Sequence, residues 1–283
     1  MVPRIVLLGI VNCTPDSFSD GVGYLFDPQT GDRSHSSDLF CERAQALIDQ
    51  GAEMIEVGGD STRPGSFCTE DEEEWLRISP VISRFAGKLP VSVDTHKAEI
   101  ARRAIDSGAF MINDITGGNQ NELLEVVAKS QVLYTYMFNA YGAAHIFTQT
   151  AMPLRVETCI STLSLWAQQK AKTISEYGIP FERQILDPGM GGFLSPDADV
   201  SRTVAERFWE IQSPISQRML GCSRKGFLRQ KNELSILDRD LPSAHLGMRV
   251  SASTPPGSTL FLRIHNVSLH RRLLDQLRAQ HSV

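Results

Sequence analysis

The chain is poor in the features that would place it outside the ordinary globular proteins. Cysteine is scarce: five residues, at positions 13, 41, 68, 159 and 222, with no CxxC pair among them. An odd number at such spacing argues against a disulfide framework and a zinc knuckle. It points to reduced thiols and a cytoplasmic location. Long apolar runs are missing too, since no segment reaches the roughly 20 residues that a membrane helix needs. The early run IVLLGIV, residues 5–11, is too short, and no cleavage-site pattern follows it. No membrane partner is expected. Nor is positive charge in excess: 28 Lys and Arg stand against 33 Asp and Glu, a formal net charge of -5. That balance argues against a nucleic-acid surface. It still permits small anionic substrates at a locally basic site. No low-complexity tract, strict repeat or linker divides the chain, and no GxGxxG fingerprint follows the first apolar run.

What is present is a chain of 283 residues, 41% hydrophobic and 22% charged, long enough to bury a substantial core. Short apolar runs alternate with helix-like stretches. The expected strands are 5–12, 54–57, 91–94, 110–113, 132–137, 184–187, 219–222 and 260–265. The expected helices are 39–50, 70–85, 97–107, 121–129, 154–177, 200–211, 243–253 and 268–279. Strands separated by helices imply crossover units and a parallel sheet. Eight such units favour a closed (β/α)8 TIM barrel occupying residues 1–283 as a single domain. An open doubly wound sheet is the alternative. Residues 21–37 form a long, insertion-like loop after the first strand, expected to be mobile and functional.

Polar residues sit at the ends of the expected strands. Asn12 ends the first, GGDSTRPG (58–65) follows the second, and Asp94 ends the third. Asn113 and Asp114 end the fourth, Asp187 the sixth, GCSRKG (221–226) the seventh, and Arg263 and His265 the eighth. In a parallel barrel this rim carries the active site. Each residue has a plainer reading alone: a helix cap for Asp94, a partly buried His265, a structural ion pair for Arg263. Together, Asp94, Asn113 and Asp187 suit a flat heterocycle with several N–H donors. Arg63, Arg224, Lys225, Arg263 and His265 suit a phosphorylated tail.

The segments GIVNCTPDSFSDG, EVGGDSTRPG, SVDTHKAE, INDITGG, LDPGMG, GCSRKGFL and LRIHNV, in this order, resemble the motifs of the dihydropteroate synthases. The resemblance spans residues 9 to 267 and implies the TIM barrel. It implies an enzyme of folate biosynthesis, a transferase joining a hydroxymethyl dihydropterin diphosphate to p-aminobenzoate with release of diphosphate. By resemblance, Asp94, Asn113, Met137, Asp187, Gly221 and Lys225 hold the pterin. Asn12, Arg63, Arg263 and His265 receive the diphosphate, with Mg2+ bridging to Asn12. Phe18, Thr62, Pro64, Phe193 and Gly226 shape the p-aminobenzoate pocket. Asp20, Arg63 and Lys225 are the catalytic candidates, Asp20 facing the developing cation. The substrates are small molecules. A homodimer is possible through the last helix, whose apolar stripe is Leu269, Leu273, Leu274 and Leu277.

The chain departs from the family pattern in one region. Gly192 and Phe193 stand where an aromatic residue and glycine are usual, Gly226 where serine is usual, Tyr136 where histidine is usual, and Asn266 where aspartate is usual. These changes suggest a remodelled second pocket and weakened sulfonamide binding. They keep two alternatives open. One is a pterin-binding paralogue with a different amine acceptor or no catalysis. The other is a pterin-dependent methyltransferase with a corrinoid partner, which the first loop argues against.

Overall fold

The structure is a computed structural model that describes residues 2–14, 34–60, 68–141 and 152–280. Eight parallel strands close a barrel in chain order. They are β1 (Arg4–Asn12), β2 (Met54–Gly58), β3 (Val91–Asp94), β4 (Met111–Asp114), β5 (Leu133–Met137), β6 (Gln184–Asp187), β7 (Gln217–Leu220) and β8 (Thr259–Ile264). β1 pairs with both β2 and β8, so no edge is left and the open sheet is excluded. The helices form the outer layer. They are α1 (Ser34–Asp49), α2 (Asp71–Phe85), α3 (Ala98–Asp106), α4 (Asn121–Ala128), α5 (Cys159–Glu176), α6 (Ala198–Glu206), α7 (Asp240–Ala252) and α8 (Val267–Gln280). None is long and apolar enough to cross a membrane. Much of the expected loop after the first strand, and the turn at 61–67, lie outside the described residues; so do Phe18, Asp20, Thr62, Arg63 and Pro64.

Several boundaries differ from the sequence reading; α1 begins at Ser34 rather than 39, so the last residues of the expected loop 21–37 are helical. α5 begins at Cys159 rather than 154. The N–H of Leu154 donates to the carbonyl of Leu194 (2.9 Å), which pins the approach to the loop after β6. α6 stops at Glu206 instead of running to 211. The Arg218 guanidinium draws the carbonyls of Phe208 and Ile211 inward at 2.6 and 2.7 Å, satisfying them outside a helix. β7 ends at Leu220, before the glycine that opens the next turn. On α8 only Leu274 of the apolar stripe is fully buried on its own barrel; Leu269, Leu273 and Leu277 are half-buried.

Side chains alternate across each strand, so every second residue points into the barrel. The lower interior is apolar, built by Val6, Leu8, Met54, Met111, Ile185, Met219 and Phe261, with Leu133 packed against it. Two residues further along the same strands stand Glu56, Asn113, Thr135, Asp187 and Arg263. The polar layer is thus the next step of the same period, lifted toward the carboxyl ends. The outward-facing residues join the larger apolar cluster under the helices.

Asp114, like Gln184 and Arg218, is a buried polar exception on that outer side. Its carboxylate is fully buried and accepts from the Thr116 N–H (2.7 Å) and hydroxyl (2.6 Å), the Gly118 N–H (2.9 Å) and the Tyr134 hydroxyl (2.7 Å). It fixes the turn after β4 and contributes nothing to the barrel mouth. Asp114→Asn sets an amide N–H donor against these donors. It is expected to lower stability by about 1.5–3 kcal/mol, read from the urea midpoint, with a minor direct effect on ligand binding.

Candidate active site

A cavity of about 240 Å³ opens at the carboxyl ends of the strands. Asn12, Gly58, Asp94, Asn113, Met137, Asp187, Gly221, Lys225, Arg263 and His265 all line it. The carboxylates after β3 and β6 therefore share one space with the lysine after β7. Thr14, Asp60, Ile115, Phe193, Ser223, Arg224 and Ile236 complete the wall. Gly221 brings no side chain to that wall, between Asp187 and Arg263.

One wall is held by a residue that the strand-end reading passed over. Glu56, in the middle of β2, is 1% exposed. Its Oε2 accepts from the Ser92 hydroxyl and the Asn113 amide, each at 3.0 Å. Its Oε1 accepts from Arg263 Nε. Arg263 then donates through its second arm to Asp94 Oδ2 at 2.7 Å. One buried carboxylate thus orients side chains of β3, β4 and β8, and through Arg263 reaches Asp94. The signal was a lone acid inside an otherwise apolar strand, MIEVG. Arg263 is half of an ion pair, as its plainer reading had it, and it also lines the cavity. With its amide N–H given to Glu56, Asn113 has its carbonyl oxygen to offer a ligand.

The opposite wall is built on glycine. Asp187 Oδ1 accepts from the Gly189 N–H at 2.7 Å. Gly189 has φ of 73°, and a Cβ would sit 2.4 Å from the Phe138 carbonyl oxygen, so no side chain fits. Lys225 Nζ donates to the Met190 carbonyl (3.1 Å) and lies 4.6 Å from the centre of the Phe193 ring. Phe193, one residue after Gly192, gives the cavity wall an aromatic ring.

Burial shifts each of these charges. Desolvation pushes the Asp94 carboxyl up to about 7; Arg263 opposes the rise and Glu56 adds to it. Its side chain is still 20% exposed to the mouth, so a ligand can reach it. Burial raises Asp187 to about 6, against the Gly189 N–H and the Lys225 charge. Burial lowers Lys225 to about 8; Asp187 opposes and Arg263 reinforces the fall. Arg263 is pulled down by burial but held above its ordinary value by Glu56 and Asp94.

The GCSRKG segment divides its side chains. Cys222 is buried, and that burial drives its thiol up to about 12. Ser223 Oγ lies 2.9 Å from His265 Nδ1. Arg224 grips Asp240 at 2.6 and 3.0 Å, so this guanidinium is a structural group, contrary to its expected phosphate role. Asn266 donates to the same Asp240 carboxylate at 3.0 Å, where an aspartate would repel it. That explains one departure from the family pattern. Gly226 is exposed, is not among the residues lining the cavity, and opens a single 3-10 turn, Gly226–Leu228. Tyr136 faces outward, fully buried with its ring 5.7 Å from that of Trp166, so it does not enter the site at all.

Comparison with known proteins gives a consistent answer. A family profile described as "Pterin binding enzyme" matches residues 8–252. The chain is 31% identical to a dihydropteroate synthase of Clostridium beijerinckii, covering 93% of this chain and 90% of that protein. It is 33% identical to the dihydropteroate synthase type-3 of Escherichia coli, over 84% and 86%. Its structure resembles the Xanthomonas albilineans dihydropteroate synthase with 4-aminobenzoic acid, at TM-score 0.80 and 29% identity, covering 99% and 94%.

The charge network makes a prediction of its own. In Glu56→Gln the repulsion on Asp94 disappears while Arg263 remains beside it. The Asp94 carboxyl should then titrate below its present value of about 7. Carboxyl 13C shifts followed across pH would show this; a rise would contradict the network.

Proposed function

The chain belongs to the dihydropteroate synthases, pterin-binding transferases of folate biosynthesis, and from this premise we propose how its own residues make dihydropteroate from a pterin diphosphate and p-aminobenzoate. The observation that carries the reading is the convergence of Asp94, Asp187 and Lys225 on one cavity. Asp187 and Asp94, when ionised, accept N–H bonds from the pterin edge, and the Asn113 carbonyl accepts another. Lys225 donates to the ring carbonyl. Met137 and Gly221 form the flat apolar bed beneath the ring.

Arg263, His265 and Asn12 line the same cavity and are assigned to the diphosphate. The Asn12 amide offers a neutral oxygen donor, which fits Mg2+, a hard cation usually shared between few protein oxygens and substrate phosphates. When bound, Mg2+ would offset the charge of the departing diphosphate. The bond from the exocyclic methylene carbon to the diphosphate oxygen breaks with its electron pair on oxygen. The ring donates electron density to the carbon, the aromatic amine forms the C–N bond, and its proton leaves to solvent. The amine is already nucleophilic, so the protein chiefly positions it. Phe193 supplies an aromatic face for it. Phe18, Thr62, Arg63 and Pro64 are assigned to the same pocket from the sequence, and Asp20 to the developing cation. Gly226 leaves the acceptor's carboxylate without the usual hydroxyl. We place the enzyme in the cytoplasm.

The test is a steady-state assay with the pterin diphosphate, p-aminobenzoate and Mg2+. Dihydropteroate formation supports the reading, and pterin binding without turnover overturns it. The carboxylates must be ionised and the lysine protonated. So kcat/KM should rise as pH passes from about 6 to about 7 and fall above about 8. Lys225→Met should remove the alkaline limb and lower kcat/KM roughly 100-fold.

A further inference from the structure

Among the described residues, one group of metal-ligating side chains lies outside the chemistry above. Asp60, Cys68 and His96 place a carboxylate oxygen, a thiol sulfur and an imidazole nitrogen within 4.8 Å of one another. We propose that these three residues form a binding site for a thiophilic divalent cation of the zinc class, at the β2–β3 edge of the barrel mouth.

The donor set selects the cation. Magnesium and calcium take oxygen ligands. One sulfur, one nitrogen and one oxygen suit Zn2+ or Co2+. With bonds of about 2.0–2.3 Å, tetrahedral ligand atoms lie about 3.3–3.8 Å apart. A modest inward movement of Cys68, which is exposed, brings the group to that spacing. The thiol gives its proton to solvent on binding. Three protein ligands leave the fourth position to water.

The ligands are held in place by α2. The chain reaches Asp60 past Gly59, where a Cβ would lie 2.8 Å from the Glu74 carbonyl oxygen. Glycine lets that turn rest against the helix. Asp60 Oδ1 accepts from the N–H and hydroxyl of Thr69, at 3.1 and 2.9 Å, which ties it to the neighbour of Cys68. On the other side of His96, Thr95 donates to the buried Glu74 at 2.8 Å, and Lys97 Nζ lies 2.8 Å from its second oxygen. The turn that carries His96 is therefore fixed on the Glu74 carboxylate from both sides of the imidazole. The charges around the thiol are Asp60, Asp71 and Glu74 against Lys97, a net negative setting for a cation. The other four cysteines are buried, so this is the accessible thiol.

The site stands independently of the folate reaction, although Asp60 also lines the substrate cavity. A cation here would fasten that wall to the turn after β3. The test is a titration of the intact chain with Co2+, followed by absorption. The expected result is one equivalent bound, a thiolate-to-cobalt charge-transfer band, displacement by Zn2+ and none by Mg2+. Cys68→Ala should abolish the band, and His96→Ala should weaken binding at least tenfold. Zn2+ should raise the thermal midpoint of the parent chain and not that of Cys68→Ala. No band at stoichiometric Co2+, or a band undiminished in Cys68→Ala, would overturn the proposal. Neither readout depends on pterin chemistry.

Discussion

The contact between Glu56 and Arg263 is the constraint on which the barrel mouth depends. A carboxylate 1% exposed inside a strand is tolerable only if paired and fully hydrogen-bonded. Glu56 meets that requirement with three partners from three strands, Ser92, Asn113 and Arg263. Removing Arg263 would leave that buried charge unpaired. Meeting Glu56's needs therefore sets the side chains that a ligand encounters. Asn113 turns its donor inward and keeps its acceptor, and Arg263 is drawn over to Asp94.

The facing wall works by a different device. Asp187 and Lys225 are held by backbone groups, the Gly189 N–H and the Met190 carbonyl, rather than by one another. Burial then moves the carboxyl up and the ammonium down, to about 6 and about 8. Both stay charged across the neutral range, the state that a hydrogen-bonding heterocycle needs. The departures from the family pattern leave these two walls intact. Phe193 puts a ring beside Lys225, Asn266 suits the carboxylate already bound by Arg224, and Tyr136 points into the outer core.

The order of strands and helices was legible in the sequence, because alternating apolar runs and amphipathic stretches are local signals. So was the rim, since the residue ending a buried parallel strand stands at the mouth of the barrel. Helix ends were less legible. α5 and α6 are shortened by bonds from Leu194 and Arg218, residues outside the helices they trim. Glu56 left a trace, one acid among apolar neighbours, whose meaning lay in partners far along the chain.

The sequence by itself determined the eightfold alternation, the positions of Asp94, Asn113, Asp187, Lys225 and Arg263 at or near strand ends, and the glycine that Asp187's turn requires. Each follows from side-chain period or backbone freedom within a few residues. Only the tertiary structure decided which charges pair. Arg263 meets Glu56 across 207 positions, Arg224 turns to Asp240, and Asp60, Cys68 and His96 come together from separate turns. Closing the barrel brings β8 beside β1, one strand away from β2, and ion pairing acts through space, so no stretch of chain carries that information alone.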